Sequence, residues 1–395
     1  MSRRGANVIV AGGGVVGASA ALALAEAGQR VMLVEPREPK PWRADDPPDL
    51  RVFAVAPASI ALLEKLGVWR DVLAMRSAAY RDMRVWDAAA DGELHFRAAD
   101  IGAPTLGHIV EQTVLLDALW RRLREHPRVE IRTGVGVAGF EHREDGIAVD
   151  VGGERLDVEL LVASDGAASP LRGQAGIAVE THDYGQRGLV AYVQCEQAHR
   201  DTAWQRFLPD GPLAFLPFDG DGEGHRCSIV WTQSSAEAER RLQLDESTFN
   251  AELTRAFDAR LGEATLVSPR AAFPLRRQLA ERFIDHRLLL IGDAAHTVHP
   301  LAGQGANLGL QDAALLMHLV GAIDGPLTAS QWKRLLTRYA RERRSESAIA
   351  GRAFGGINAL FSNDQPLLTL MRGPGLGLVS RIAPLRSLLA KHAAG

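Results

Sequence analysis

Residues 8–35, VIVAGGGVVGASAALALAEAGQRVMLVE, restrict the fold of this chain more than any other stretch. Val8–Ala11 reads as a short buried strand. Gly12, Gly14 and Gly17 then spell G-x-G-x-x-G, with Val15 and Val16 between the last two. A run of small and apolar residues continues to Ala27 as a helix, and Gly28 supplies its stop. A second strand over 31–34 ends in Glu35, 23 residues after Gly12. Glycine lets the backbone turn sharply and approach a phosphate, and the helix N-terminus behind it favours negative charge. An acid closing the second strand is placed for ribose hydroxyls, so the unit implies a dinucleotide. Arg3, Arg4 and the apolar run also resemble a secretory signal, but four glycines at this spacing argue for the nucleotide turn.

Context separates this motif from a second match. Gly134, Gly136 and Gly139 also give G-x-G-x-x-G, yet the following FEHREDGIAVDV alternates as two strands joined at Asp145-Gly146. No helix follows, so one dinucleotide fold is expected in the chain.

A second constraint lies at 288–313, LLLIGDAAHTVHPLAGQGANLGLQDA. An apolar strand delivers Gly292 and Asp293 at its carboxyl end. A loop broken by Pro300, Gly303, Gln304 and Gly305 leads into an Ala/Leu-rich helix. Strand, carboxylate, glycine cradle and helix end face one bound group. A third acid follows the strand Leu160–Ala163 in SDGAASPLR, where Asp165 and Gly166 precede Ser169 and Arg172. An Asx-type turn with a capping serine is the plain alternative there.

Between these anchors, Pro57 and Gly67 bracket a short helix, with Arg51 just before it as a phosphate partner or a surface arginine. Residues 80–99 alternate as strands around Asp91-Gly92. HIVEQTVLLDALWRRL predicts a helix with Leu115, Leu116, Leu119 and Leu123 on one side and Gln112 at its start. Residues 189–232 are short β-rich runs, an antiparallel sheet inserted into the nucleotide-binding fold. A helix carrying Phe249, Leu253, Phe257 and Leu261, stopped by Gly262, follows.

With 395 residues, 46% of them hydrophobic, the chain has material for two domains. A net charge of −3 gives no electrostatic case for nucleic acid. Two cysteines, Cys195 and Cys227, make no disulfide framework and suit a reducing compartment. No apolar run reaches the roughly 18 residues that a membrane span needs.

The order GxGxxG…E, then DG, then GD resembles the single-component FAD-dependent aromatic hydroxylases, the class A flavoprotein monooxygenases. Within them, HPLAGQGANLG, LRVFAVAPAS…LLEKLGVW, LGHIVEQTVLLDAL and LTRYARERR resemble the ubiquinone-biosynthesis hydroxylase family over nearly the whole chain. The resemblance implies an α/β fold: a Rossmann-like FAD-binding domain of the glutathione-reductase type, an inserted antiparallel β-sheet substrate domain and a helical C-terminal segment. The expected boundaries are 1–75, 100–180 and 280–330 for FAD, 76–99 and 181–279 for substrate, and 331–395 for the C-terminal segment. It also implies cofactor roles. Gly12, Gly14, Val15, Val16 and Gly17 would hold the pyrophosphate and Glu35 the adenosine ribose. Arg51 and Gln112 would contact the cofactor, Gln112 standing where close relatives carry another amide, asparagine. Asp165 would line the groove between FAD and the nicotinamide donor, and Gly292 with Asp293 would bind ribityl or ribose hydroxyls. Pro300, Gly303, Gln304, Gly305, Ala306 and Asn307 would lie against the isoalloxazine ring.

The implied reaction is hydroxylation of a polyprenylated phenol or quinol through a C4a-hydroperoxyflavin, with O2 and NAD(P)H as co-substrates. AWQRFLPDGPLAFLPF and AYRDM resemble the demethoxyubiquinol-hydroxylating branch, whereas VHPLAGQG resembles the polyprenylphenol-hydroxylating branch. Two alternatives stay open: an FAD reductase or dehydrogenase on the same fold, and an FAD-binding scaffold in a biosynthetic complex. His299, beside Pro300, is the sequence candidate for a catalytic base, against a structural role. Asp293, His296 and His299 stand at i, i+3, i+6, a helical metal spacing that the cofactor assignment explains better; no metal is expected.

The C-terminal helix carries Arg334, Arg338, Arg341, Arg343 and Arg344, read as a solvated face. Beyond Asp364 the sequence has Arg372, Arg381, Arg386 and Lys391 and no acids, interleaved with apolar residues and broken by prolines. Such a tail docks on an anionic membrane or a partner complex, or packs on the protein itself. The expected location is cytoplasmic, peripheral on the inner membrane face; a homo-oligomer is compatible with all of this.

Overall fold

The computed structural model describes residues 6–88, 92–218, 222–297 and 305–361, with side chains through residue 347. The chain opens with the expected unit: β1 (Val8–Ala11), α1 (Val15–Glu26) and β2 (Val31–Glu35). Next come β3 (Val52–Val55), α2 (Pro57–Lys65), α3 (Trp69–Ala74), β4 (Ser77–Tyr80), β5 (Asp82–Asp87) and β6 (Glu93–Arg97). β7 (Gly107–Glu111) runs directly into α4 (Gln112–Glu125). β8 (Val129–Thr133), β9 (Val137–His142), β10 (Ile147–Val151), β11 (Glu154–Val158) and β12 (Leu160–Ala163) lead to α5 (Pro170–Gln174). The β-rich middle holds β13 (Val179–Cys195), β14 (Thr202–Leu208), β15 (Gly211–Pro217) and β16 (Arg226–Ser234). It continues with α6 (Ser235–Gln243), α7 (Glu246–Ala256), β17 (Ala264–Leu266) and β18 (Ala271–Ala280). The last part is β19 (Ile284–Asp285), β20 (Leu288–Leu290), β21 (His296–Thr297), α8 (Gly305–Gly321) and α9 (Ala329–Phe361).

One six-stranded sheet runs β19-β20-β12-β1-β2-β8, parallel except for β19. Its inner strands are buried on both faces, which is why Val8–Ala11, Leu160–Ala163 and Leu288–Leu290 read as unbroken apolar runs. Register does the positioning. Ala11 lies opposite Val34 and Ala163, and Ala163 opposite Leu290. The residues at or just past the carboxyl ends of these strands, Gly12, Glu35, Ser164-Asp165 and Gly292-Asp293, therefore emerge together at one end of the sheet. The second glycine motif behaves as expected, leading into the antiparallel β9 and β10 rather than a helix.

A nine-stranded sheet follows the path β21-β18-β13-β16-β15-β14-β5-β6, with β17 pairing β13 beside it. It is antiparallel apart from the β14–β5 pairing, where the early hairpin joins the inserted strands. Alternation along each strand gives the sheet two apolar faces. Leu189, Ala191, Val193, Leu213, Phe215, Cys227, Ile229 and Trp231 pack on Phe249, Leu253 and Phe257. Tyr192, Ala203, Ala214 and Leu216 face the other way, toward Val52 and Ala54 of β3 and Ile109 of β7. That second face borders the nucleotide-binding part.

Three expectations need correction. The helix expected from His108 starts only at Gln112, because 107–111 form the central strand β7 between β3 and β4. The helix carrying Phe249 and Leu253 ends at Ala256, where the positive φ of Asp258 and Ala259 turns the chain before Leu261 and Gly262. Arg343 is not solvated: it is 2% exposed, packed between α9 and α8. Among the described residues no helix is long and apolar enough to cross a membrane. The tail beyond residue 361 lies outside the described residues, as do His299, Pro300, Gly303 and Gln304.

Candidate active site

The glycine turn is built by close packing on one side and open space on the other. A Cβ on Gly12 would stand 2.4 Å from the Ser164 carbonyl oxygen, and one on Gly17 would stand 2.0 Å from the Gly12 carbonyl oxygen. Gly14 would meet nothing within 4 Å. The turn is fixed from outside the motif as well. Ser164 donates its hydroxyl to the carbonyls of Ala11 and Gly12, at 2.8 and 2.9 Å. Buried Trp120 of α4 donates its indole N–H to the Gly13 carbonyl at 2.8 Å. Neither residue was singled out from the sequence, although Ser164 sits directly before the acid of the SDG turn.

Glu35 accepts from the backbone N–H groups of Gly13 (2.5 Å) and Arg37 (2.9 Å), which holds its carboxylate at the end of β2. Val15 is buried as the first residue of α1. Val16 packs under the second glycine loop: a Cβ on Gly292 or Gly309 would meet its side chain at 3.0 or 2.3 Å. Val16 thus joins α1 to α8 by contact. Asp165 accepts from the Leu171 N–H at 3.2 Å through one oxygen, and its buried Oδ1 has no protein partner. The Ser169 cap forms, whereas the Asp165 carboxylate reaches Leu171, six residues on, rather than closing an Asx turn, and half of it stays unused. Arg172 staples this turn to the Gly292–Ala294 turn, donating to the carbonyls of Ala294 (2.9 Å) and Ala167 (2.8 Å).

Asp293 is accessible but walled by protein; burial pushes its carboxyl up, opposed by the charges of His296 and Arg51. Arg51 donates to the Gln112 Oε1 at 3.2 Å and lies over the Phe273 ring, 5.1 Å from its centre. Asp293, Arg51 and Gln112 thus lie near one another, with Gln112 as the first residue of α4.

Gly305 and Ala306 open α8. The buried side chain of Asn307 is held by three hydrogen bonds to its neighbours. Its Oδ1 accepts from the Ala56 N–H (3.0 Å) and the Ser59 hydroxyl (2.8 Å), and its Nδ2 donates to the Ala54 carbonyl (2.8 Å). Asn307 therefore pins the start of α8 to β3 and α2.

Beneath this loop lies a buried polar cluster that sequence reasoning missed. Asp312 accepts from the Gly292 N–H (2.8 Å) and pairs with the His296 Nε2 (2.9 Å) through Oδ2. Its Oδ1 takes the Arg343 Nε at 2.6 Å, while Arg343 Nη2 reaches the Leu308 carbonyl at 2.9 Å. Burial alone would push the Asp312 carboxyl up, but His296, Arg343 and the hydrogen bonds hold it down to about 2. His296 stands in β21 after a single turn at Gly292–Ala294, so the Asp293/His296 spacing is not helical here.

These residues fit a flavin dinucleotide on their own geometry. The glycine turn is packed wherever protein faces protein and open at Gly14. One buried carboxylate oxygen, on Asp165, has no protein donor, and Asp293, Arg51 and Gln112 gather near one another. Next to Asn307 a cavity opens, lined by Ala54, Tyr80, Met83, Ile109, Ala203, Gln205, Ala214 and Leu216.

Comparison with known proteins agrees. The family model described as "FAD binding domain" matches residues 5–350. The chain is 37% identical, over the full length of both, to the 3-demethoxyubiquinol 3-hydroxylase of Escherichia coli strain K12. It is also 37% identical to the ubiquinone hydroxylase UbiL of Rhodospirillum rubrum, covering 99% of this chain and 90% of that one. Among solved structures, p-nitrophenol 4-monooxygenase PnpA from Pseudomonas putida DLL-E4 superposes with a TM-score of 0.76, over 98% of this chain and 97% of that one. At 17% identity this last likeness speaks for the fold alone.

Proposed function

This chain belongs to the FAD-binding-domain family, among the ubiquinone-biosynthesis hydroxylases, and we propose that it hydroxylates the aromatic ring of a polyprenylated phenol or quinol using O2 and NAD(P)H. The observation that carries this is the placement of Asn307, which belongs at once to the helix start beside the cofactor groove and to the lining of the cavity under the β-sheet. A flavin held in that groove would share Asn307 with a largely apolar cavity, a setting that suits oxygen transfer to carbon.

FAD, when bound, takes electrons from NAD(P)H and activates O2 for transfer to an electron-rich ring. The protein's part is to bind, orient and exclude water. Gly12, Gly14 and Gly17 with the N-terminus of α1 hold the pyrophosphate, and Glu35 the adenosine ribose. Asp293 takes ribityl or ribose hydroxyls, with Arg51, Gln112 and the free oxygen of Asp165 around the same groove. The backbone N–H groups of Gly305 and Ala306 at the start of α8 would favour a negatively charged group bound there. Ala54, Ile109, Ala203, Ala214 and Leu216 keep water from the reacting carbon. His299 is the sequence candidate for moving the phenolic proton. Residues of the six-stranded sheet serve the cofactor and the inserted sheet serves the substrate, within the boundaries given above.

The test is turnover of the FAD-loaded protein under ¹⁸O₂ with the product weighed. One labelled oxygen in the ring is the expected result. NAD(P)H consumption with unlabelled product would make the protein a reductase, and bound FAD without substrate-stimulated oxidation would make it a scaffold. Complementation of strains lacking each hydroxylation step, with intermediates weighed, assigns the ring carbon. We further propose that the basic apolar tail docks on an anionic membrane, where polyprenylated substrates reside. Deletion of residues 365–395 should abolish co-sedimentation with anionic liposomes.

A further inference from the structure

The cavity beside Asn307 has an apolar wall and a polar minority. Of its polar side chains, Asn307 is spent on Ala54, Ala56 and Ser59. Gln205 and Tyr80 are not. Gln205 sits in the middle of β14, opposite Ala214 of β15 and Val85 of β5. Alternation turns it to the same face as Ala203, among Tyr192, Ala214 and Leu216. It is 8% exposed, and its amide has no hydrogen-bond partner among the described residues. Tyr80 ends β4, and its hydroxyl likewise has no such partner. The absence of a side chain at 107 makes room for that hydroxyl: a Cβ on Gly107 would stand 2.8 Å from it.

The carboxamide is a polar group that this largely apolar wall presents to the cavity. It has hydrogen bonds to offer a guest there that no described protein group takes up. We propose that Gln205 and Tyr80 are the substrate-orienting polar pair of this enzyme, holding the oxygen substituents of the aromatic ring while the apolar wall takes the ring itself. This rests on the hydroxylase function above and adds the residues that choose the substrate. Gln205 both donates and accepts, so it serves a hydroxyl or a methoxyl group. Tyr80 serves as a donor, because burial pushes its hydroxyl up to about 12 and keeps it protonated. At about 40 Å³ the cavity takes only water-sized guests, so an aromatic ring enters as its lining parts, with the flexible Met83 thioether in the wall.

In the FAD-loaded protein, Gln205→Leu should leave the melting temperature close to that of the parent, since the amide makes no hydrogen bond to the described protein. The same change should weaken binding of a short-chain demethoxyubiquinol, read from the flavin absorbance, about tenfold. Tyr80→Phe should weaken binding by a similar factor. In turnover both should raise KM and lower the fraction of NAD(P)H oxidation that ends in hydroxylated product. A merely structural Gln205 would give a lower melting temperature and unchanged binding, and that result overturns the proposal. Unchanged binding in both variants would do the same. Failure of the hydroxylase function itself looks different: the parent protein would then show no flavin perturbation with any phenol or quinol.

Discussion

Arg343 and Asp312, 31 positions apart on α9 and α8, form an ion pair of 2.6 Å at 2% and 0% side-chain exposure. Nothing about this pair is decorative. Asp312 also accepts the N–H of Gly292, the residue before Asp293 and one that lies in the left-handed region at φ +55. The conformation of the second glycine loop therefore hangs on a carboxylate whose charge is balanced from the C-terminal helix. His296, on the far side of the loop's first turn, completes the cluster.

Removing one partner should expose the dependence. Arg343→Met leaves the Asp312 charge buried opposite a thioether, at a cost of about 3–5 kcal/mol. The double variant Asp312→Asn/Arg343→Met should recover a good part of that loss. Urea unfolding of the flavin-free proteins measures both, and an Arg343→Met protein as stable as the parent would contradict the account.

The same cluster has a defined acid window. The Asp312 carboxyl lies at about 2 in the folded protein, below its ordinary 3.8, so the unfolded chain takes up this proton first as pH falls. Its stabilisation, of order 2 kcal/mol, is fully present above the ordinary value and lost as pH drops from there through about 2. The stability difference between parent and Asp312→Asn should accordingly be constant near neutrality and narrow across that interval.

Two glycines of one motif should respond differently to the same methyl group. Gly17→Ala places a carbon 2.0 Å from the Gly12 carbonyl oxygen, so the turn must break and stability and flavin retention should fall together. Gly14→Ala meets no protein atom within 4 Å, so the melting temperature of the flavin-free protein should hold while FAD affinity drops, by about tenfold or more. Fluorescence titration with FAD, beside thermal unfolding, separates the two.

Asn307→Ala should behave as a loss of support rather than of chemistry. It strips partners from the Ala56 N–H, the Ala54 carbonyl and the Ser59 hydroxyl, all against buried surroundings. About 1–3 kcal/mol of stability should go. FAD dissociation should accelerate as the start of α8 loosens from β3.

What could be read from the sequence follows from how local each signal is. The first βαβ unit and the acids after β12 and β20 declare themselves because strand, turn and charge are adjacent in the chain. His108 through Glu111 were assigned to a helix because an apolar run next to a true amphipathic helix carries no periodicity of its own; only pairing with β3 and β4 decides it. Arg343 was invisible among five arginines, since a helix rich in charge normally faces water and its partner lies 31 residues away. Ser164 and Trp120 act on the glycine turn from 152 and 107 positions off, through bonds that no spacing rule anticipates. The β-rich character of 189–232 is legible, but which faces of β14 and β15 border the cofactor is not.

The alternation of Leu213–Leu216 along β15 has a consequence for how such a protein can change over time. Phe215 and Leu213 serve the packing against α7, whereas Ala214 and Leu216, their immediate neighbours, serve the chamber. Selection for a new ring can therefore act on every second position of a strand and leave the intervening ones to keep the molecule folded. Interleaving the two tasks at single-residue resolution makes the pocket a separately adjustable trait on an unaltered scaffold.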